Sequence, residues 1–66
     1  MKLSVNGEDV MLDGPCSVAR LLRHYELDAA PCAVEVNKAL IPKREHEGHA
    51  LGDGDIIEIV TLVGGG

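Results

Sequence analysis

The sequence predicts an α+β domain, a mixed sheet of four to five strands with one main helix lying across one face. Three observations lead there. Several short segments alternate apolar and polar residues with the period of a strand. A single segment carries the period of a helix, and Gly, Asn and Pro punctuate the joins.

The elements follow in chain order. KLSV (residues 2–5) places Leu3 and Val5 on one face. Asn6-Gly7 is a two-residue hairpin signal, because both residues tolerate the positive φ of a type I′ turn. EDVML (residues 8–12) returns as a second strand with Val10 and Leu12 inward, and Asp13-Gly14-Pro15 ends it. Ser17 reads as a helix N-cap, its hydroxyl offered to the unpaired amides of the first turn. Val18, Leu21, Leu22 and Tyr25 then form one apolar stripe at i, i+3, i+4 and i+7, with Arg20, Arg23 and His24 on the other side. This helix is expected to stop near Tyr25 or Leu27, ahead of Pro31.

CAVEV (residues 32–36) makes a third strand, Asn37-Lys38 turns the chain, and ALI (residues 39–41) is a short return closed by Pro42. KREHEGH (residues 43–49) reads as a solvated charged loop. GDGD (residues 52–55) is a tight turn into IIEIVTLV (residues 56–63), the longest apolar strand. Ile and Val on both of its faces suit a central place beside the first strand, and the two are expected to run parallel. Strand, strand, helix, strand, short strand, strand is the order of the β-grasp, or ubiquitin-like, arrangement. Residues 1–63 form the domain, and residues 64–66 are expected to be a flexible glycine tail.

Bulk properties narrow the function. A chain of 66 residues makes one small domain with a thin core, which argues against a deep cleft between domains. It has one Tyr and no Phe or Trp, so the core is aliphatic and no ring platform exists for stacking bases. The net charge of −5 repels phosphate backbones and anionic lipid, which disfavours nucleic acid and membrane surfaces. A protein partner with a basic face fits better. MKLSVNGEDV reads as a strand and turn, not as a signal peptide, and no apolar run reaches the ~20 residues of a membrane span, so a cytoplasmic protein is expected. Cys16 and Cys32 are too far apart for a CxxC motif and read as two reduced, partly buried thiols.

Candidate chemistry within the domain is sparse. His46 and His49, beside Glu45 and Glu47, lack the convergent ligand set of a metal centre. Asp53 and Asp55 flank a glycine in a turn, where short carboxylates bond their own backbone. Ser4, Ser17 and Thr61 have no histidine at a recognisable spacing, and Cys16 sits near a helix N-terminus without a partner base. GDGD precedes a strand and so is no phosphate loop. No catalytic residue is assigned.

The ending VGGG is different. Three extended residues span about 10 Å, enough to enter another protein's active site. Glycines thread a narrow channel, and a terminal glycine leaves its carbonyl unhindered. Gly66 is therefore the expected reactive residue through its α-carboxylate, with Gly64 and Gly65 threading the partner. A free carboxylate is a poor acyl donor, so the partner must activate it with ATP.

The β-grasp order, LGDGDIIEIV (residues 51–60), VEVNKALIPKREH (residues 34–46) and the VGGG end together resemble the ThiS family, the sulfur carrier proteins of thiamine biosynthesis. The resemblance covers essentially the whole chain. It departs near Leu62, where the family often carries an aromatic or other bulky residue. The resemblance implies a carrier and not an enzyme. A ThiF-like adenylyltransferase would join AMP to Gly66 using ATP and magnesium, neither bound by the chain itself. A cysteine desulfurase, directly or by relay, would then supply sulfur to form a Gly66 thiocarboxylate. Thiazole synthase, ThiG, would receive that sulfur. Alternatives are a sulfur carrier of another pathway, such as the MoaD-like small subunit of molybdopterin synthase, a ubiquitin-like protein modifier, and a plain structural domain.

Alternation in the last strand sorts its side chains. Ile57, Ile59, Thr61 and Val63 share one face, expected toward the helix, and Ile56, Glu58, Val60 and Leu62 share the other. Ile56, Val60 and Leu62 would form an apolar patch leading to the tail, and with Val63 they are the candidate docking residues.

Overall fold

A computed structural model of the chain describes residues 1–62. β1 (Lys2–Val5) and β2 (Glu8–Met11) form an antiparallel hairpin. Its turn holds Asn6 at φ 51° and Gly7 at φ 84°, the left-handed pair that a type I′ turn requires. β4 (Cys32–Val36) and β5 (Ala39–Ile41) repeat the device around Asn37 and Lys38, at φ 51° and 73°. β7 (Ile56–Thr61) closes a five-stranded sheet of order β2-β1-β7-β4-β5. It runs parallel to β1 and antiparallel to β4, in the central place that its two-sided apolar pattern predicts.

α1 (Val18–His24) covers one face of this sheet. Val18, Leu21 and Leu22 pack into one cluster with Leu3, Val5, Val34, Val36 and Ile57. Leu21 and Ile57 are fully buried, so truncating either to Ala is expected to cost about 2–5 kcal/mol. Ser17 caps the helix as expected, its Oγ accepting the Arg20 amide at 3.1 Å.

The other end of the helix differs from expectation. Tyr25 does not extend the buried stripe. The helix stops at His24, and Tyr25, 38% exposed, stands edge-on to the His24 ring at 5.1 Å. Glu26 takes φ 59°, its amide donates to the Arg23 carbonyl at 2.9 Å, and the Leu27 amide reaches the Leu22 carbonyl at 2.8 Å. These two bonds make a Schellman ending, which brings Leu27 back against the core in place of Tyr25.

Residues 43–49 are solvated at Lys43, Arg44, Glu45, Glu47 and Gly48, as the charged sequence predicts, but not throughout. A 3₁₀ turn (Lys43–Glu45) leads to His46, which is only 7% exposed, with Nε2 bonded to the Ile41 carbonyl at 3.0 Å. The His46 carbonyl accepts the Ala19 amide and the His49 carbonyl accepts the Val18 amide, both at 3.0 Å. A helix leaves its first amides without internal acceptors, and this segment supplies them. Two short strands that the sequence pattern does not announce, β3 (Cys16–Ser17) and β6 (Ala50–Leu51), pair antiparallel and lock the segment to the helix start.

Candidate functional site

The residues expected to act lie at the end of β7 and beyond it. Val63, Gly64, Gly65 and Gly66 are outside the described residues. What precedes them is held firmly. β7 pairs with β4 through five consecutive residue pairs and with β1 through two. The Leu62 amide donates to the Pro31 carbonyl at 2.8 Å, one residue beyond the strand. The root of the tail is thus anchored to the sheet.

The faces of β7 separate as alternation predicts through Val60. Ile57 and Ile59 are buried against the helix side, while Ile56 and Val60 are 57% and 56% exposed on the open side together with Glu58. Leu62, just past the end of the strand, is 53% exposed and also borders a cleft of about 260 Å³ with Leu22, Leu27 and Cys32. Leu40, 65% exposed, stands on the open face with Ile56 and Val60 as well. Sequence reasoning missed Leu40, since a three-residue strand gives no clear alternation to read.

The open face also carries charge. Glu35 and Glu58 are direct partners in the β4–β7 register, and Ala33 lies opposite Val60. Either strand alone shows an exposed glutamate. Their adjacency depends on the register, which no local pattern states.

The remaining candidates are engaged structurally. Asp53 Oδ1 accepts the Lys2 amide at 2.6 Å, and Asp55 accepts the Gly52 amide at 2.7 Å and the Asn37 side-chain amide at 3.0 Å. Both carboxylates tie the turn to neighbouring strands. Cys16 is buried, Cys32 is half-buried, and both are free thiols. Among the described residues no group of three or more His, Cys, Asp and Glu side chains is placed to hold a metal ion. Among them, too, no helix is long and apolar enough to cross a membrane.

Known proteins with this pattern share a theme. The crystal structure of the thiamine biosynthesis protein (ThiS) from Geobacter metallireducens superposes with a TM-score of 0.83 at 30% identity, covering all of both chains. The sulfur carrier protein ThiS of Bacillus subtilis is 40% identical over 65 residues, which span 97% of this chain and 98% of that protein. A thiazole synthase of Paramagnetospirillum magneticum is 39% identical over 66 residues, and there this chain spans a fifth (20%) of the relative's length. The Geobacter structure shares the β-grasp fold that the strand order predicts. The family model for ThiS matches residues 3–66, from the first strand to the last glycine, and this chain accordingly belongs to the ThiS family.

Proposed function

We propose that this chain is a cytoplasmic sulfur carrier for thiazole formation in thiamine biosynthesis, with the Gly66 carboxylate as the group that carries sulfur. The observation that carries this reading is the match of residues 3–66 to the ThiS family, which runs through the glycine tail. The anchored strand end agrees with it. Four residues beyond Leu62 reach about 13 Å when extended, so a fixed globule could present its last carbonyl inside a partner's active site.

In this mechanism a ThiF-like adenylyltransferase, using its own ATP and magnesium, brings a Gly66 carboxylate oxygen onto the α-phosphorus of ATP. Pyrophosphate leaves and an acyl-adenylate forms. The terminal sulfur of a persulfide, delivered by a cysteine desulfurase directly or by relay, attacks the Gly66 carbonyl and expels AMP. A thiol then cleaves the resulting acyl disulfide, leaving the thiocarboxylate on Gly66 and a disulfide on the donor side. A thiazole synthase of the ThiG kind receives the sulfur. The likeness of this chain to part of a protein named thiazole synthase supports that partner. The chain's own side chains perform no step. They hold the root of the tail and present the surface on which partners dock.

The test is incubation of the full chain with ATP, magnesium, the adenylyltransferase and a sulfur source, followed by intact-mass measurement. Exchange of one oxygen for sulfur in the C-terminal peptide is expected, and a chain lacking Gly65 and Gly66 should show none. Species heavier by a whole target protein would point to a protein modifier and overturn the carrier reading, as would an unchanged mass.

A further inference from the structure

The hairpin turn between β1 and β2 is Asn6-Gly7, and this dipeptide has a chemistry of its own. The backbone nitrogen that follows an asparagine can attack the carbon of the side-chain amide. Glycine in the following position leaves that nitrogen open, because it carries no Cβ to crowd the approach. Asn6 is exposed, so water reaches the product of such an attack.

The fold restrains the attacked group from both ends. Asn6 Oδ1 accepts the Ile59 amide at 2.8 Å, and Nδ2, the nitrogen that would have to leave, donates to the Ile59 carbonyl at 3.2 Å. The Asn6 backbone amide is tied to the same strand, donating to the Ile57 carbonyl at 2.9 Å. Ile59 is buried within β7, so these bonds open only when that strand shifts. The other hairpin turn differs in one respect. Asn37 has the same φ of 51° and its Oδ1 accepts the Ile56 amide at 3.0 Å, but Lys38 follows it and its side chain crowds the attacking nitrogen.

We propose that Asn6 is a self-modification site of this chain, guarded by its clamp on Ile59, and that opening of β7 beside it releases the side chain to become an acid. In that step the Gly7 nitrogen gives up its proton and bonds to Asn6 Cγ. The Cγ–Nδ2 bond breaks, and the nitrogen leaves as ammonia with that proton. Water then opens the five-membered imide at either carbonyl, giving aspartate or isoaspartate, and no electrons are exchanged. Both products undo the clamp. The donor to the Ile59 carbonyl is gone, and a carboxylate oxygen faces that carbonyl oxygen instead. Isoaspartate also inserts a methylene into the main chain, which a two-residue turn cannot absorb without disturbing its register. The acid is therefore a lasting mark on chains whose central strand has opened, and it sits against the strand that leads to the glycine tail.

The test holds the full chain at mildly alkaline pH, both folded and in unfolding urea, and follows Asn6 and Asn37 by peptide mass. In urea Asn6 is expected to lose its amide at least about tenfold faster than Asn37. Folding should slow the Asn6 reaction at least about tenfold, and hydrogen exchange should show the Ile59 amide protected by a factor within about tenfold of that slowing, since both need the same opening. The purified acid form, and Asn6→Asp, should melt about 5 °C or more below the parent. Equal Asn6 rates in the folded and unfolded chain overturn the guard, as does a larger mismatch with Ile59 protection. Loss at Asn37 as fast as at Asn6 in urea overturns the choice of site. A parental midpoint in the acid form overturns the coupling to β7. The rates come from the parent chain alone, so they decide the matter even where Asn6→Asp fails to fold.

Discussion

The side-chain amide of Asn6 takes the place of a strand residue opposite Ile59. Its Oδ1 accepts the Ile59 amide at 2.8 Å and its Nδ2 donates to the Ile59 carbonyl at 3.2 Å. β1 ends at Val5, so Asn6 carries the ladder along β7 beyond the last residue of its neighbour. Asn37 acts likewise at the other end of β7, its backbone amide reaching the Ile56 carbonyl at 2.7 Å and its Oδ1 accepting the Ile56 amide at 3.0 Å. Two hairpin-turn asparagines thus clamp the strand from which the glycine tail follows.

Asn6→Ala is expected to destabilise the domain by about 2–3 kcal/mol, combining two lost hydrogen bonds with a side chain forced into positive φ. Asn6→Gly keeps the turn conformation and should cost about 1 kcal/mol less. Urea unfolding of the two variants checks both numbers. Equal losses would mean that the backbone conformation contributes nothing to the difference.

Glu26→Gly is expected to stabilise the protein by about 0.5–1 kcal/mol. Glu26 sits at φ 59° in the Schellman ending, a position where glycine avoids the steric cost of a Cβ. The thermal midpoint should rise without any change in tail chemistry. A drop would show that the Glu26 side chain makes a contribution larger than its backbone strain.

Val60→Asp tests the open face as a docking surface. Val60 is more than half exposed and lies opposite Ala33, so the change should cost under about 1 kcal/mol of stability. Adenylation of Gly66 should nevertheless slow by about tenfold or more, because an unpaired charge would be buried at the interface. Rates equal to the parent's would remove Val60 from the docking surface.

Tyr25 gives the domain a pH dependence at the alkaline end. Partial burial of the phenol raises its pKa above the ordinary 10.0, and the nearby Glu8 charge raises it further. Because the folded state holds this proton more tightly than the unfolded state, stability is unaffected below pH 10 and falls as pH rises through the interval above it. Midpoints recorded from pH 9 to 11 should therefore fall less steeply for Tyr25→Phe than for the parent. Parallel curves would mean that the phenol titrates alike in both states.

Much of the architecture is legible residue by residue. Asn6-Gly7 announces its own turn, Ser17 its own cap, and the alternation of Ile56 to Val60 its own two faces, because each depends on neighbours within a few positions. His46 could not be read in that way. Amid charged residues it looks solvated, yet the unpaired amides at the start of α1 draw its segment onto the helix and bury the ring. Leu40 escaped for another reason, since a strand of three residues is too short for alternation to show which face each side chain takes.

By itself, then, the sequence determined the chain order of the five main-sheet strands, the aliphatic core, the single α-helix and the bare glycine ending, all of which follow from local period and residue chemistry. Tertiary structure alone decided that Glu35 meets Glu58, that Asn6 reaches Ile59, and that His46 lies inside. Those pairings join residues far apart in the chain, and their register is selected by how the two faces of the sheet are buried, a condition that exists only once the whole domain has packed.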